Sequence, residues 1–263
     1  METIGFIGLG NLGTAIAQNI QNAGYPMVVY DIREGATKPL LEEGSRLAAA
    51  PDEVASLSDV TFTSLPGPRE VEDVTLGLHG VLNGIKEGGI YVDLSTSRPS
   101  LIRRIGEIFE EKSVMVIDAP VLTSPATAAD RQVVVMPSGD REVCQKLRPL
   151  FDSFADTVVY QGPLGMGSTC KLVNNMITLA VRQVVAEGLT LGLKAGLDLD
   201  SLMEAGNRMV LGHQKEGLEK TVFRGQFYPP SFRQALARKD IGLANELGRE
   251  LSVPMPVANL VEQ

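Results

Sequence analysis

Through the first part of the chain, short runs rich in Val and Ile alternate with stretches whose apolar residues return at helical spacing. The strand-like runs fall at residues 3–7, 27–30, 60–65, 89–94, 114–119, 133–136 and 157–160. Helical spacing or helix starts mark residues 13–23, 99–112 and 141–154 between them. This alternation predicts a parallel sheet with helices on both faces, because parallel neighbours need a crossover long enough to hold a helix. Near Gly162 the pattern changes. Residues 168–195 contain no proline and are apolar enough for one long, mostly buried helix. Helix-like segments follow at 199–208, 212–221 and 231–251, with no convincing strand. The pattern therefore predicts an α/β domain over residues 1–162 and an all-helical domain over residues 163–263 that starts with the long interdomain helix.

Composition narrows the class. With 44% hydrophobic and 21% charged residues in 263, the chain reads as an ordinary soluble globular protein. No stretch approaches the ~18 uninterrupted apolar residues of a membrane span, so no membrane partner is expected. The N-terminus lacks a basic region followed by an apolar block and cleavage site, which reads as no secretory signal. Cys144 and Cys170 form neither a metal-type spacing nor a disulfide framework, and the default location is the cytoplasm. His79 and His213 are too few and too far apart for a metal site, so none is assigned. A net charge of −8 argues against nucleic acid as a partner.

The first candidate chemistry is a glycine turn. Gly8-Leu9-Gly10-Asn11-Leu12-Gly13 fits G-x-G-x-x-G, follows the apolar run Ile4-Gly5-Phe6-Ile7 and opens a helical segment. In that context the first glycine makes a tight turn, the second lets the backbone approach a pyrophosphate, and the third permits close helix–strand packing. These are the features of a Rossmann-type doubly wound domain that binds a dinucleotide. In so acidic a chain the attraction must be local, through backbone N–H groups at the helix N-terminus. Asp31 ends the second run, 18 residues after Gly13. A carboxylate there accepts both ribose hydroxyls and repels a 2′-phosphate, which favours NAD over NADP. Arg33 is placed to receive such a phosphate, so NADP stays open.

A second constellation opens the long helix. Lys171, Asn175 and Thr178 are spaced i, i+4, i+7 and project from one helical face, directly after the glycine-rich approach Gly162-Pro163-Leu164-Gly165-Met166-Gly167. In a cleft at a domain junction, desolvation would favour the neutral lysine amine, the form that takes up a proton.

With these motifs in order, the sequence resembles the β-hydroxyacid dehydrogenase family, whose members include 3-hydroxyisobutyrate dehydrogenase and tartronate semialdehyde reductase. Phe6 to Gly13 is similar to its opening signature, with Leu12 where methionine is commoner. Gly165-Met166-Gly167 through Lys171 to Asn174-Asn175 is similar to its G-x-G-x-x-x-K-x-x-N-N segment, and Phe232 through Leu236 to Lys239-Asp240 and Ala244 to a late F-x-x-x-L-x-x-K-D-x-x-L-A segment. The resemblance implies that Lys171 is the general acid/base and that Asn175 holds the substrate. It implies that Lys239 reaches the cofactor from the helical domain, and that Leu65, Pro66, Ser95 and Thr96 line the cofactor. A small-molecule substrate and a homo-oligomer are implied with it.

The match breaks at Asp118-Ala119-Pro120-Val121, which in the family continues Ser-Gly-Gly and here continues Leu122-Thr123-Ser124-Pro125. Leu122 removes a hydroxyl that would meet the substrate carboxylate, leaving Thr123 and Ser124 as candidate substitutes, and Pro125 stiffens the loop. After Val257, relatives run on through further helix while this sequence ends at Gln263. The leading expectation is an NAD-dependent oxidoreductase that interconverts a small β-hydroxy acid and its semialdehyde or keto form. A cofactor-binding protein without dehydrogenase activity, and a reductase for imines or carbonyls lacking a carboxylate, stand beside it.

Overall fold

A computed structural model describes residues 2–33, 35–123, 125–206 and 233–263, which form two compact units, Met1–Leu172 and Val173–Gln263. In the first, strands β1 (Ile4–Ile7), β2 (Met27–Tyr30), β3 (Arg46–Leu47), β4 (Val60–Thr63), β5 (Ile90–Asp93) and β6 (Met115–Asp118) form one parallel sheet of order β3-β2-β1-β4-β5-β6. Helices α1 (Asn11–Asn22), α2 (Lys38–Glu42), α3 (Pro51–Ser56), α4 (Pro68–Leu76), α5 (Val81–Gly84) and α6 (Pro99–Glu110) make the crossovers. The order reverses between β1 and β4, the place where doubly wound sheets bind ligands.

Apart from the short, exposed edge strand β3, both faces of the sheet are buried, which is why its strands read as apolar runs. On one face Ile4, Phe6, Phe62 and Val92 pack under Ile16 and Ile20 of α1 and under Phe151 and Phe154. On the other, Ile7, Val28 and Tyr91 pack against Ile102, Ile105 and Phe109 of α6. Phe6 and Phe62 are register partners on β1 and β4, with stacked rings 6.0 Å apart. Burying each such side chain stabilises the fold by about 1.5–3 kcal/mol.

Three features differ from the sequence expectation. The runs at 133–136 and 157–160 do not extend the parallel sheet. As β8 (Val134–Val135) and β9 (Thr157–Val158) they join β7 (Val121–Leu122) in a separate sheet in which β7 and β8 are antiparallel. The segment 141–154 is two helices, following α7 (Pro125–Ala129): α8 (Arg141–Lys146) and α9 (Arg148–Asp152). Pro149 has no N–H to donate backwards and ends the first.

The third concerns α10 (Met166–Lys194), which is continuous but not mostly buried. Gly167, Ser168, Leu172, Val185 and Leu189 are buried, whereas Val184 is 61% and Leu191 72% exposed. By length and composition this helix is long and apolar enough to cross a membrane. In the second unit, Val185 and Leu189 pack on Met203 of α11 (Leu199–Gly206). Helix α12 (Gln234–Glu250) packs on α13 (Pro256–Glu262), and Asn245 Nδ2 donates to Glu262 Oε2 at 2.7 Å. The expected helix at 212–221, and residues Ser124 and Phe232, lie outside the described residues.

Candidate active site

The glycine turn connects β1 to α1 at the switch point. Gly8 has φ +93°, and a Cβ there would lie 2.4 Å from Ser64 O, so the turn needs glycine twice over. A Cβ on Gly13 would lie 2.1 Å from Gly8 O, which is how closely the helix descends onto the strand. Around Gly10 a Cβ would meet nothing within 4 Å, leaving an open cradle. No side chain caps the α1 N-terminus among the described residues, so its first N–H groups stay available to an anion. This combination fits a dinucleotide pyrophosphate.

At the neighbouring strand end Asp31 and Arg33 form one unit with Leu9. Asp31 Oδ2 accepts Leu9 N–H at 2.7 Å, and Oδ1 accepts Arg33 Nε at 3.0 Å and Arg33 N–H at 2.8 Å. Arg33 Nη2 also donates to Leu9 O at 3.0 Å. Burial works to raise the Asp31 carboxyl, but the bonds from Arg33 and Leu9 prevail and hold it below its usual range. The Asp31 side chain is 7% exposed and Arg33 62%.

Leu65, Pro66, Ser95 and Thr96 follow β4 and β5. Leu65 N–H donates to Ser95 Oγ at 2.9 Å, and Ser95 N–H to Asp93 Oδ1 at 3.0 Å. Thr63 Oγ1 donates to the same Asp93 oxygen at 2.8 Å and lies 2.7 Å from Tyr91 Oη. This buried cluster ties the two turns together. Burial, reinforced by the Asp93 charge, holds the Tyr91 phenol well above its usual range. Pro66 is exposed and Thr96 half-buried.

The end of β6 meets the start of α10. Asp118, fully buried, accepts Ser168 N–H at 2.7 Å, Ser168 Oγ at 2.7 Å and Ser138 Oγ at 3.2 Å. Burial is the largest influence on its carboxyl; the Ser168 bonds oppose it, the neighbouring Asp93 charge adds to it, and the group is pushed up to about 7. Lys171 Nζ donates to Val121 O at 2.7 Å. Thr123 Oγ1 lies 3.1 Å from Thr127 Oγ1 and donates to Gln132 O at 3.0 Å. In the second unit Asn175 Nδ2 donates to Asp240 Oδ2 at 2.7 Å, and Lys239 Nζ lies 2.8 Å from Asp240 Oδ1, so both converge on one buried carboxylate.

Sequence reasoning used the acid that ends β2 but passed over Asp93 and Asp118 as structural groups. The signal was the same each time: an aspartate closing an apolar run, as in Tyr91-Val92-Asp93 and Val116-Ile117-Asp118. Ser138 and Ser168 carried no local signal.

A six-stranded parallel sheet with a glycine turn at its switch point defines a nicotinamide-dinucleotide-binding fold followed by a helical domain. Residues 3–162 match the family described as the NAD binding domain of 6-phosphogluconate dehydrogenase, and residues 165–263 that described as the NAD-binding domain of NADP-dependent 3-hydroxyisobutyrate dehydrogenase. The chain is 32% identical to 2-(hydroxymethyl)glutarate dehydrogenase of Eubacterium barkeri, over 99% of this chain and 87% of that protein. It is 30% identical to the NAD-dependent L-serine dehydrogenase of Pseudomonas aeruginosa, over 99% and 90%. The solved structure of Mycobacterium tuberculosis 3-hydroxyisobutyrate dehydrogenase with L-serine superposes with a TM-score of 0.89 at 25% identity, covering 100% of this chain and 91% of that one. The chain belongs to the β-hydroxyacid dehydrogenase family.

Proposed function

We propose that the protein is an NAD-dependent dehydrogenase that interconverts a small β-hydroxy acid and its semialdehyde or keto form, with Lys171 as general acid/base. The observation that carries this reading is the Lys171 amine, anchored at 2.7 Å on Val121 O beside the Leu122-Thr123 segment. When bound, the nicotinamide supplies the hydride acceptor or donor. Lys171 takes the proton of the substrate hydroxyl in oxidation and returns it in reduction, which requires an amine held in place. Asn175 orients the substrate, and Thr123 and Ser124 receive its carboxylate. Gly8 to Gly13, Leu65, Pro66 and Thr96 hold the cofactor, Asp31 and Arg33 its adenosine ribose, and Lys239 contacts it from the helical domain, with the functional boundary near residue 162. The protein works as a soluble, cytoplasmic homo-oligomer.

The test is Lys171→Ala assayed with NAD and a panel of L-serine, 3-hydroxyisobutyrate and 2-(hydroxymethyl)glutarate. Turnover should fall by at least about 1,000-fold while NADH binding by fluorescence stays within about 2-fold. Full activity in this variant eliminates Lys171 as the proton carrier. Leu122, standing where a hydroxyl would meet a carboxylate, favours a second reading as a reductase of carbonyls or imines without one. A panel of aldehydes, ketones and imines lacking that group, reduced faster than the acids, would select it.

A further inference from the structure

We infer that Asp118 is a positioning residue: from the end of β6 it fixes the first turn of α10, and through that turn it aims the Lys171 amine. The inference rests on Lys171 being the proton carrier. A helix leaves its first four N–H groups without partners in its own ladder. In α10 the N–H groups of the first three residues are each held from outside that ladder. Met166 N–H donates to Pro163 O at 3.1 Å, Gly167 N–H to Ser138 Oγ at 2.9 Å and Ser168 N–H to Asp118 Oδ2 at 2.7 Å, and the helix's own ladder begins with Thr169 N–H to Gly165 O at 3.1 Å. The Ser168 hydroxyl adds a second bond, to Asp118 Oδ1 at 2.7 Å. One carboxylate therefore joins the strand end, the bridging residue Ser138 and the helix start.

The backbone leaves this start no freedom to slide. A Cβ on Gly167 would lie 2.4 Å from Met136 O and 2.7 Å from Asp118 O, so the helix rests directly on the backbone at the end of β6 and just after β8. Lys171 is one turn beyond Ser168, and its amine donates to Val121 O, three residues beyond Asp118. The segment 118–121 thus holds the same helical turn at two points: the Asp118 carboxylate grips its backbone and the Val121 carbonyl grips its amine. A fully buried acid is a costly cap where a neutral Asn or Ser would serve, and a cost carried at this point calls for a function. Fixing a proton-transferring group is such a function, since displacing it by about 1 Å costs on the order of 100-fold in rate.

The experiment compares Asp118→Ala, Asp118→Asn and Ser168→Ala in the full chain, using the best substrate of the hydroxy-acid panel. Asp118→Ala should lower kcat roughly 100-fold with KM and NADH affinity within about 3-fold. Asp118→Asn keeps an oxygen for the Ser168 N–H and should recover most of that loss. Ser168→Ala, which leaves the strand intact, should lower kcat by about 10-fold, and serves if Asp118→Ala does not fold. Amide exchange over residues 167–172 should accelerate in step with the loss of kcat. Wild-type kcat in Asp118→Ala or in Ser168→Ala overturns the inference, as does an equal loss of kcat and NADH affinity. A dead Lys171→Ala beside a fully active Asp118→Ala sinks this inference alone; an active Lys171→Ala sinks the reading beneath it.

Discussion

At the scale of single residues, the two aspartates that close β2 and β6 are tuned in opposite directions. Asp31 is held as an anion by Arg33 and Leu9, so its charge is present at every physiological pH. In the proposed adenosine-ribose site it would repel a 2′-phosphate, and it already engages the Arg33 guanidinium that would bind one. Asp31→Ser removes the repulsion and releases Arg33, and the NADPH-to-NADH ratio of kcat/KM should rise by at least about 10-fold. An unchanged ratio shows that selectivity lies elsewhere. Asp118 is the reverse case. Its carboxyl is raised from 3.8 to about 7, so the fold favours the protonated form. Its contribution to stability is complete below about pH 4 and is lost as pH rises through about 7, on the order of 4 kcal/mol in all. Asp118→Asn, which never ionises, should gain stability relative to wild type between pH 5 and pH 8 in urea titrations. Parallel profiles for the two proteins would contradict it. Asp31 was legible because it lies at a fixed distance from a glycine motif. Asp118 was not, because Ser138 and Ser168 stand 20 and 50 residues away in sequence and meet it only in the fold.

At the scale of elements, the strand–turn–helix unit separates what glycine does for folding from what it does for binding. Gly13 lies under a backbone carbonyl and Gly10 faces open space. Gly13→Ala should cost about 2 kcal/mol or more through overpacking, lowering Tm by roughly 4–8 °C. Gly10→Ala should leave Tm within about 1 °C but weaken NADH binding by about 10-fold, because the added methyl fills the cradle. Equal melting temperatures for the two variants would refute this division. The parallel core strands were legible because both faces are buried and the runs are uniformly apolar. The two-residue β7, β8 and β9 were not, since so short a run of Val fits an edge of the main sheet equally well. The break at Leu147 was masked by continuous helical spacing, although Pro149 marked it.

At the scale of the whole molecule, the exposed face of α10 carries the remaining question. Val173, Ile177, Val184 and Leu191 are 47–72% exposed and spaced by four and seven residues, so they form one apolar stripe. The sequence expectation of a mostly buried helix came from its apolar content, which does not say whether the cover is this chain or another. Length and composition alone would also suit a bilayer. However, Arg182 and Glu187 sit near the middle of the helix, and each charge would cost about 2.5–3.5 kcal/mol at a bilayer centre. A second copy removes the apolar stripe from water without burying those charges, at about 1.5–3 kcal/mol gained per side chain fully covered. Light scattering should therefore give wild type a mass that is a multiple of 28.2 kDa, and Leu191→Glu should shift it to 28.2 kDa with the far-ultraviolet circular dichroism unchanged. A wild-type monomer at micromolar concentration, or a Leu191→Glu variant of undiminished mass, would leave the stripe without this partner.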